Sequence, residues 1–139
     1  MQREHHLLSV NGARIHAVTE GLGPLVLLIH GFPESWYSWR HQLTALAEAG
    51  YRAVAIDQRG YGRSSKFYQT EEYSIHKLVD DAVGVVKALG EEQAVVVGHD
   101  WGAPVAWTAA WLHPETFRAV VGMSAVSYTH LTLPTSDLV

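Results

Sequence analysis

Apolar and polar residues fall into two kinds of pattern along this chain: short unbroken apolar runs, and longer stretches where apolar residues recur every three or four positions. The runs Leu25 to Ile29, Arg52 to Ile56, Ala94 to Val97 and Phe117 to Met123 are too short for helices. They read as strands of a sheet covered on both faces. Ahead of them, His6 to Val10 and Ala13 to Thr19 flank Asn11-Gly12, a strong hairpin signal. From Trp36 to Ala49 the residues Trp36, Trp39, Leu43, Leu46 and Ala47 keep helical spacing, and Gly50 supplies a stop. Ser74 opens a second helix that carries Ile75, Leu78, Val79, Ala82, Val85, Val86 and Leu89 before Gly90 closes it. A third starts at Gly102 with Pro104 near its first turn and stops at His113-Pro114. The helical spacing of Trp36, Trp39, Trp107 and Trp111 places them in the core. Strands alternating with helices predict an α/β fold, a doubly wound and mostly parallel sheet with the N-terminal hairpin as an antiparallel edge. Reactive groups are then expected at the carboxyl ends of the strands.

Composition narrows the classes. The 139 residues are 47% hydrophobic with a formal net charge of −4, which suits one soluble globular domain. Ten Lys and Arg against fourteen Asp and Glu, without a basic cluster, argue against a nucleic-acid partner. The absence of cysteine removes disulfides, thiolate catalysis and Cys-type zinc sites. No apolar stretch approaches the roughly eighteen residues of a membrane span, so a cytoplasmic location is expected. The nine histidines are scattered, and the adjacent His5 and His6 read as solvated. Neither a metal nor a cofactor is expected.

The apolar run Ala94 to Val97 ends in Gly98-His99-Asp100-Trp101-Gly102, and a helix follows at once. Strand, tight turn and helix, with glycine two places either side of a reactive residue, is the geometry of a nucleophile elbow. An aspartate there could instead merely cap the helix, but a cap does not need small residues on both sides. A carboxylate needs no base to make it nucleophilic at neutral pH, and the positive end of the following helix favours its charged form. Attack on an sp3 carbon bearing a leaving oxygen or halide would give an ester that water can cleave at the ester carbonyl. The oxyanion of that second step forms on Asp100 itself, so backbone N–H donors must lie beside it.

His30 to Trp36 (His-Gly-Phe-Pro-Glu-Ser-Trp), Asp57 to Gly62 (Asp-Gln-Arg-Gly-Tyr-Gly) and the Gly-His-Asp-Trp-Gly elbow stand in order at strand ends. With these motifs the chain resembles the α/β-hydrolase superfamily, and within it the soluble epoxide hydrolases, from about Leu7 to Val126. The resemblance implies that Asp100 is the nucleophile and that the backbone N–H groups of Phe32 and Trp101 form the oxyanion hole. His30, Gly31 and Pro33 are expected to shape the oxyanion loop and, with Trp36 and His99, to line the substrate pocket. Asp57 and Arg59 are expected to tie down their own glycine loop. Trp101 could also line the pocket or donate its indole N–H to a leaving halide, as in the haloalkane dehalogenases. Those enzymes usually present an asparagine where Phe32 stands.

By the same resemblance a histidine base, its acid partner and two lid tyrosines come after the last strand read here. The chain is therefore expected to be an α/β-hydrolase domain truncated before its lid. Residues 1–126 read as the N-terminal part of that domain, and 127–139 as an unpatterned tail of non-native origin. Neither His113 nor His130 is placed by the motifs as the base. The function expected for the parent protein is hydrolysis of a small-molecule epoxide by water to a diol through an ester on Asp100, with this chain an inactive piece. A haloalkane dehalogenase-like hydrolase and a non-catalytic fragment are the alternatives. Sequence does not set the epoxide, the stereochemistry or the oligomeric state.

Overall fold

A computed structural model of the chain describes residues 2–123. The expectations for Ser127 to Val139, and for His130 within them, fall outside the described residues.

Strands β1 (Glu4–Val10) and β2 (Ala13–Glu20) form the hairpin, with Asn11 (φ 51°) and Gly12 (φ 72°) both left-handed at its turn. Positive φ at both turn residues matches the right-handed twist of the strands they join. Then follow β3 (Leu25–Ile29), α1 (Arg40–Glu48), β4 (Arg52–Ile56), α2 (Ile75–Ala88), β5 (Ala94–His99), α3 (Gly102–Leu112) and β6 (Phe117–Met123). The sheet runs β1-β2-β4-β3-β5-β6. β2 pairs antiparallel with both β1 and β4, whereas β4, β3, β5 and β6 are parallel. This is the predicted mostly parallel sheet with an antiparallel start.

Alternation along the central strands divides the core in two. Leu25, Leu27 and Ile29 of β3 and Val54 and Ile56 of β4 face α2 and α3, where they meet Val79, Ala82, Val85, Val105 and Ala109. Val26, Leu28, Ala53 and Ala55 point the other way, toward Leu43 of α1 and Trp39. With helices on both sides, the short apolar runs lose their surface to packing on either face, worth roughly 25 cal/mol per Å² of apolar area.

The first helix departs from its sequence reading. A 3-10 turn at Trp36–Trp39 precedes α1, because Ser35 Oγ accepts from Tyr37 N–H and the Trp36 N–H is drawn to Asp57 Oδ1 at 2.8 Å. The second follows it: Ser74 caps α2 by accepting from Lys77 N–H. A further 3-10 turn, Thr70–Tyr73, had no periodic signal. Trp39 is buried as expected, but Trp111 is 82% exposed. Trp111 and Leu112 end α3 on its exposed side, beyond the reach of the two core clusters.

One buried ion pair ties the glycine loop to the helices. Arg59, almost fully buried, donates from Nε and Nη2 to Asp81 of α2 at 2.7 and 2.9 Å, from Nη1 to Glu72, and from Nη2 to the Asn11 carbonyl in the hairpin turn. Burial pushes the Asp81 carboxyl up against the opposing pull of the Arg59 and Asn11 donors; burial would also pull Arg59 down, but Asp81 and Glu72 hold the guanidinium above its ordinary value. The bidentate geometry, with the Asn11 amide also donating to Asp81 at 3.0 Å, favours the charged pair. Arg59→Met would leave Asp81 as a buried carboxylate without its cation. It is expected to lower stability by about 3–5 kcal/mol in urea unfolding; a change below about 1 kcal/mol would contradict the role given to the pair.

Candidate active site

Asp100 sits at φ 58°, the left-handed region that side-chain-bearing residues rarely occupy. Its neighbours explain how this is held. A Cβ on Gly98 would run into the Gly102 carbonyl and lie 2.9 Å from Ala103 Cα; one on Gly102 would strike the Ile29 carbonyl and lie 2.7 Å from the His30 carbonyl. A Cβ on Gly31 would meet Asp100 itself. The ends of β3 and β5 and the start of α3 therefore touch backbone to backbone. The Asp100 N–H donates to the Met123 carbonyl of β6 at 2.8 Å, and its own carbonyl accepts from Ala103 N–H at 3.0 Å. The carboxylate does not act as the cap of α3, whose cap position is Trp101 with no side-chain cap bond.

Instead, Asp100 Oδ2 accepts the Phe32 N–H at 3.2 Å. Phe32 lies in the turn after β3 and is followed by a cis Phe32–Pro33 peptide. That turn is closed reciprocally: Gly31 N–H donates to Glu34 Oε1 at 2.9 Å and Glu34 N–H to the Gly31 carbonyl at 3.0 Å. One carboxylate oxygen of Asp100 thus has a backbone donor from a second strand end, and its neighbours Phe32 and Trp101 both line a cleft.

The cleft encloses about 830 Å³, within the usual range for small-molecule sites. Phe32 and Trp101, both more than half exposed, flank its mouth. Gln58, Gly60 and Tyr61 line it from the loop after β4, with the Tyr73 ring against Gly60, and Ile75, Leu78, Pro104 and Val105 line it from α2 and α3. Tyr61 packs edge-on against His30 and Phe32, and burial pushes its hydroxyl up from its ordinary value. Apart from Gln58 and Arg59, the walls are apolar or aromatic, which suits an apolar ligand brought to a carboxylate.

Five residues expected to line this pocket lie elsewhere. His30 is completely buried beneath it, with Nδ1 on the Gly31 carbonyl at 2.8 Å, while Nε2 accepts Gln58 N–H at 3.0 Å. Burial holds its imidazole below the ordinary value, against the opposing pull of the Gly31 carbonyl, Asp57 and Glu34, so the neutral ring bridges the ends of β3 and β4. Gly31 is buried under Asp100 and Pro33 is exposed outside the cleft. Trp36 faces away, edge-on to His5 and His16. His99 points to a separate depression with Glu34 and Trp39, 3.7 Å from Glu34 Oε1, because alternation along β5 turns it from the cleft. His113 ends α3, so this eleven-residue helix puts it roughly 15 Å from the elbow. Asp57 does tie its loop, accepting Arg63 N–H, whereas Arg59 reaches out to α2 instead.

Gln58 and Tyr61 were missed as cleft residues although their place just after β4 pointed to them. Ile75 and Leu78 carried no such signal, since only the packing of α2 brings them there.

Residues 24–138 match the family model described as alpha/beta hydrolase fold. The chain is 63% identical over 128 residues to epoxide hydrolase B of Mycobacterium tuberculosis, covering 89% of this chain and 36% of that protein. It is 49% identical to bifunctional epoxide hydrolase 2 of Sus scrofa, covering 86% of this chain and 21% of that one. Among solved structures, an epoxide hydrolase from an endophytic Streptomyces superposes with a TM-score of 0.85 at 61% identity, over 86% of this chain and 36% of that one. One from Vigna radiata gives 0.85 at 47% identity, over 88% and 40%. The chain thus spans little more than a third of the length of the first two of these bacterial relatives.

Gly98→Ala is expected to cost about 3 kcal/mol or more in urea unfolding, since the new methyl runs into the backbone of Gly102 and Ala103. Gly90→Ala, at φ 81° with nothing within 4 Å, should cost only about 1–2 kcal/mol. Equal losses would show that the elbow is not close-packed.

Proposed function

The chain belongs to the α/β-hydrolase family, and from that membership we propose that it is the nucleophile-bearing part of an epoxide hydrolase. The observation that carries this reading is the Phe32 N–H at 3.2 Å from Asp100 Oδ2, on a carboxylate held at a left-handed elbow. A carboxylate with one oxygen in a donor site, and the other given no hydrogen bond among the described residues, is arranged for attack by that second oxygen. That oxygen opens the epoxide at one carbon: the new C–O bond forms, the ring C–O bond breaks, and the ring oxygen leaves as an alkoxide that takes a proton. The product is an alkyl ester of Asp100. Water then attacks the ester carbonyl, and the negative charge develops on the oxygen beside Phe32 N–H, with Trp101 N–H proposed as the second donor. Collapse releases the diol and restores the carboxylate. Aryl and alkyl epoxides fit the apolar walls formed by Tyr61, Ile75, Leu78 and Val105.

Among the described residues no histidine stands by Asp100 as a base for the second step. We place the base and the proton donors for the alkoxide in the further length that the relatives possess. The isolated chain should then release no more than one diol per molecule, and repeated turnover would contradict this.

In the full-length protein, Asp100→Ala should lower kcat by at least about 10⁴-fold and abolish the ester adduct seen by mass spectrometry after rapid quenching. Retention of most activity would remove Asp100 from the reaction. Compared on an epoxide and a haloalkane of matched carbon skeleton, diol formation should far outpace halide release. Faster halide release would move the reading to a dehalogenase that uses the Trp101 indole.

A further inference from the structure

The Asp57 carboxylate lies fully buried behind the turn that carries Phe32. Its Oδ1 accepts the Trp36 N–H at 2.8 Å, and its Oδ2 accepts Arg63 N–H at 3.0 Å and faces His16 Nδ1 at 2.7 Å. A carboxylate only accepts, so His16 Nδ1 carries the proton. The other ring nitrogen of His16 lies 2.9 Å from His5 Nδ1, and the two imidazoles stack at 5.1 Å. Both rings meet the Trp36 indole edge-on. Burial, then His16, Arg63, Arg3 and His6, hold His5 below its ordinary value, which keeps it a neutral partner for His16. Trp36 is therefore gripped by its amide and by its ring, at the far end of the turn whose near end is closed by Glu34 on Gly31.

We propose that His16 is a positioning residue for the oxyanion loop, acting through Asp57. Without the His16 N–H, Oδ2 keeps only the Arg63 amide, and the carboxylate is free to turn about its last side-chain bond. Oδ1 then leaves the Trp36 amide, and the turn from Gly31 to Trp36 is held at one end only. Phe32 N–H would lose its aim at Asp100 Oδ2. The consequence for catalysis rests on the ester mechanism proposed above: ester hydrolysis uses that donor to stabilise new charge, whereas alkylation does not.

Two substitutions separate positioning from bulk stability. The amide of His16→Asn reaches as far as Nδ1 and can still donate to Asp57; that of His16→Gln reaches as far as Nε2 and serves His5 instead. In the full-length protein His16→Gln should slow ester hydrolysis about ten-fold, the size of one hydrogen bond to a charged group. Ester should accumulate, kcat and KM should fall together, and kcat/KM should stay within about two-fold. His16→Asn should recover most of the loss. In parallel, hydrogen exchange of the peptide 31–37 should quicken about ten-fold in the Gln variant and stay near wild type in the Asn variant. If the wild type forms no ester, the reaction assigned to Asp100 fails and the exchange measurement alone decides the positioning. The proposal is overturned if exchange is unchanged in His16→Gln, if Asn is no better than Gln, or if kcat/KM falls in step with kcat.

Discussion

At Asp100 the ends of β3 and β5 and the start of α3 approach so closely that Gly31, Gly98 and Gly102 have no room for a side chain. That contact decides the rest of the site. The strand must turn into a helix within two residues, and the residue at the corner takes φ 58°, a strain that the surrounding sheet sustains through the bond from Asp100 N–H to Met123. The corner residue lies beyond the carboxyl end of β5, at the N-terminal end of α3. The helix end favours negative charge there, and so does the Phe32 amide. The same closeness that forbids side chains brings the turn after β3 within hydrogen-bonding distance of the carboxylate.

Polar groups, not apolar packing, hold the loops around this corner. Chain that leaves a sheet carries backbone donors and acceptors that must find partners once buried. Neutral His30 satisfies Gln58 N–H and the Gly31 carbonyl, Asp57 takes the Trp36 and Arg63 amides, and Ser64 Oγ accepts the His16 N–H. Arg59 extends the network through Asp81, Glu72 and the Asn11 carbonyl to α2 and the hairpin, and its guanidinium lies 4.9 Å from the Phe67 ring. Each of these groups joins segments far apart in sequence, so the positions of the two cleft walls depend on one another.

The result is a carboxylate set between Phe32 and Trp101, two residues that line an apolar cleft. Water is a poor competitor on walls such as Tyr61, Leu78 and Val105, and electrostatic interactions with the carboxylate strengthen where solvent is thinned. Among the described residues β6 lies at the sheet edge, with Val121 and Met123 partly open to solvent, as are Trp111 and Leu112 at the end of α3. No helix among the described residues is long and apolar enough to cross a membrane.

Much of this was legible in the chain. The apolar runs, the Asn11-Gly12 turn, the Ser74 cap and the glycines around Asp100 encode local conformations, and a local conformation follows from spacing and steric freedom within a few residues. The parallel direction of the central strands was implied by alternation with helices, and the meeting of Phe32 with Asp100 by the rule that strand ends converge; the strand order itself came only with the fold. Which side of the corner a residue faces was not legible. His30, Trp36 and His99 carry the right chemistry at the right strand ends, yet His30 is buried as a bridge, Trp36 packs on two histidines and His99 turns to the opposite depression. Ile75 and Leu78, distant in sequence and unremarkable in type, form a wall instead. Local rules place a residue on its element; its exposure and its partners arise from long-range packing of helix on sheet and from buried hydrogen bonds between loops, and those exist only once the chain has folded.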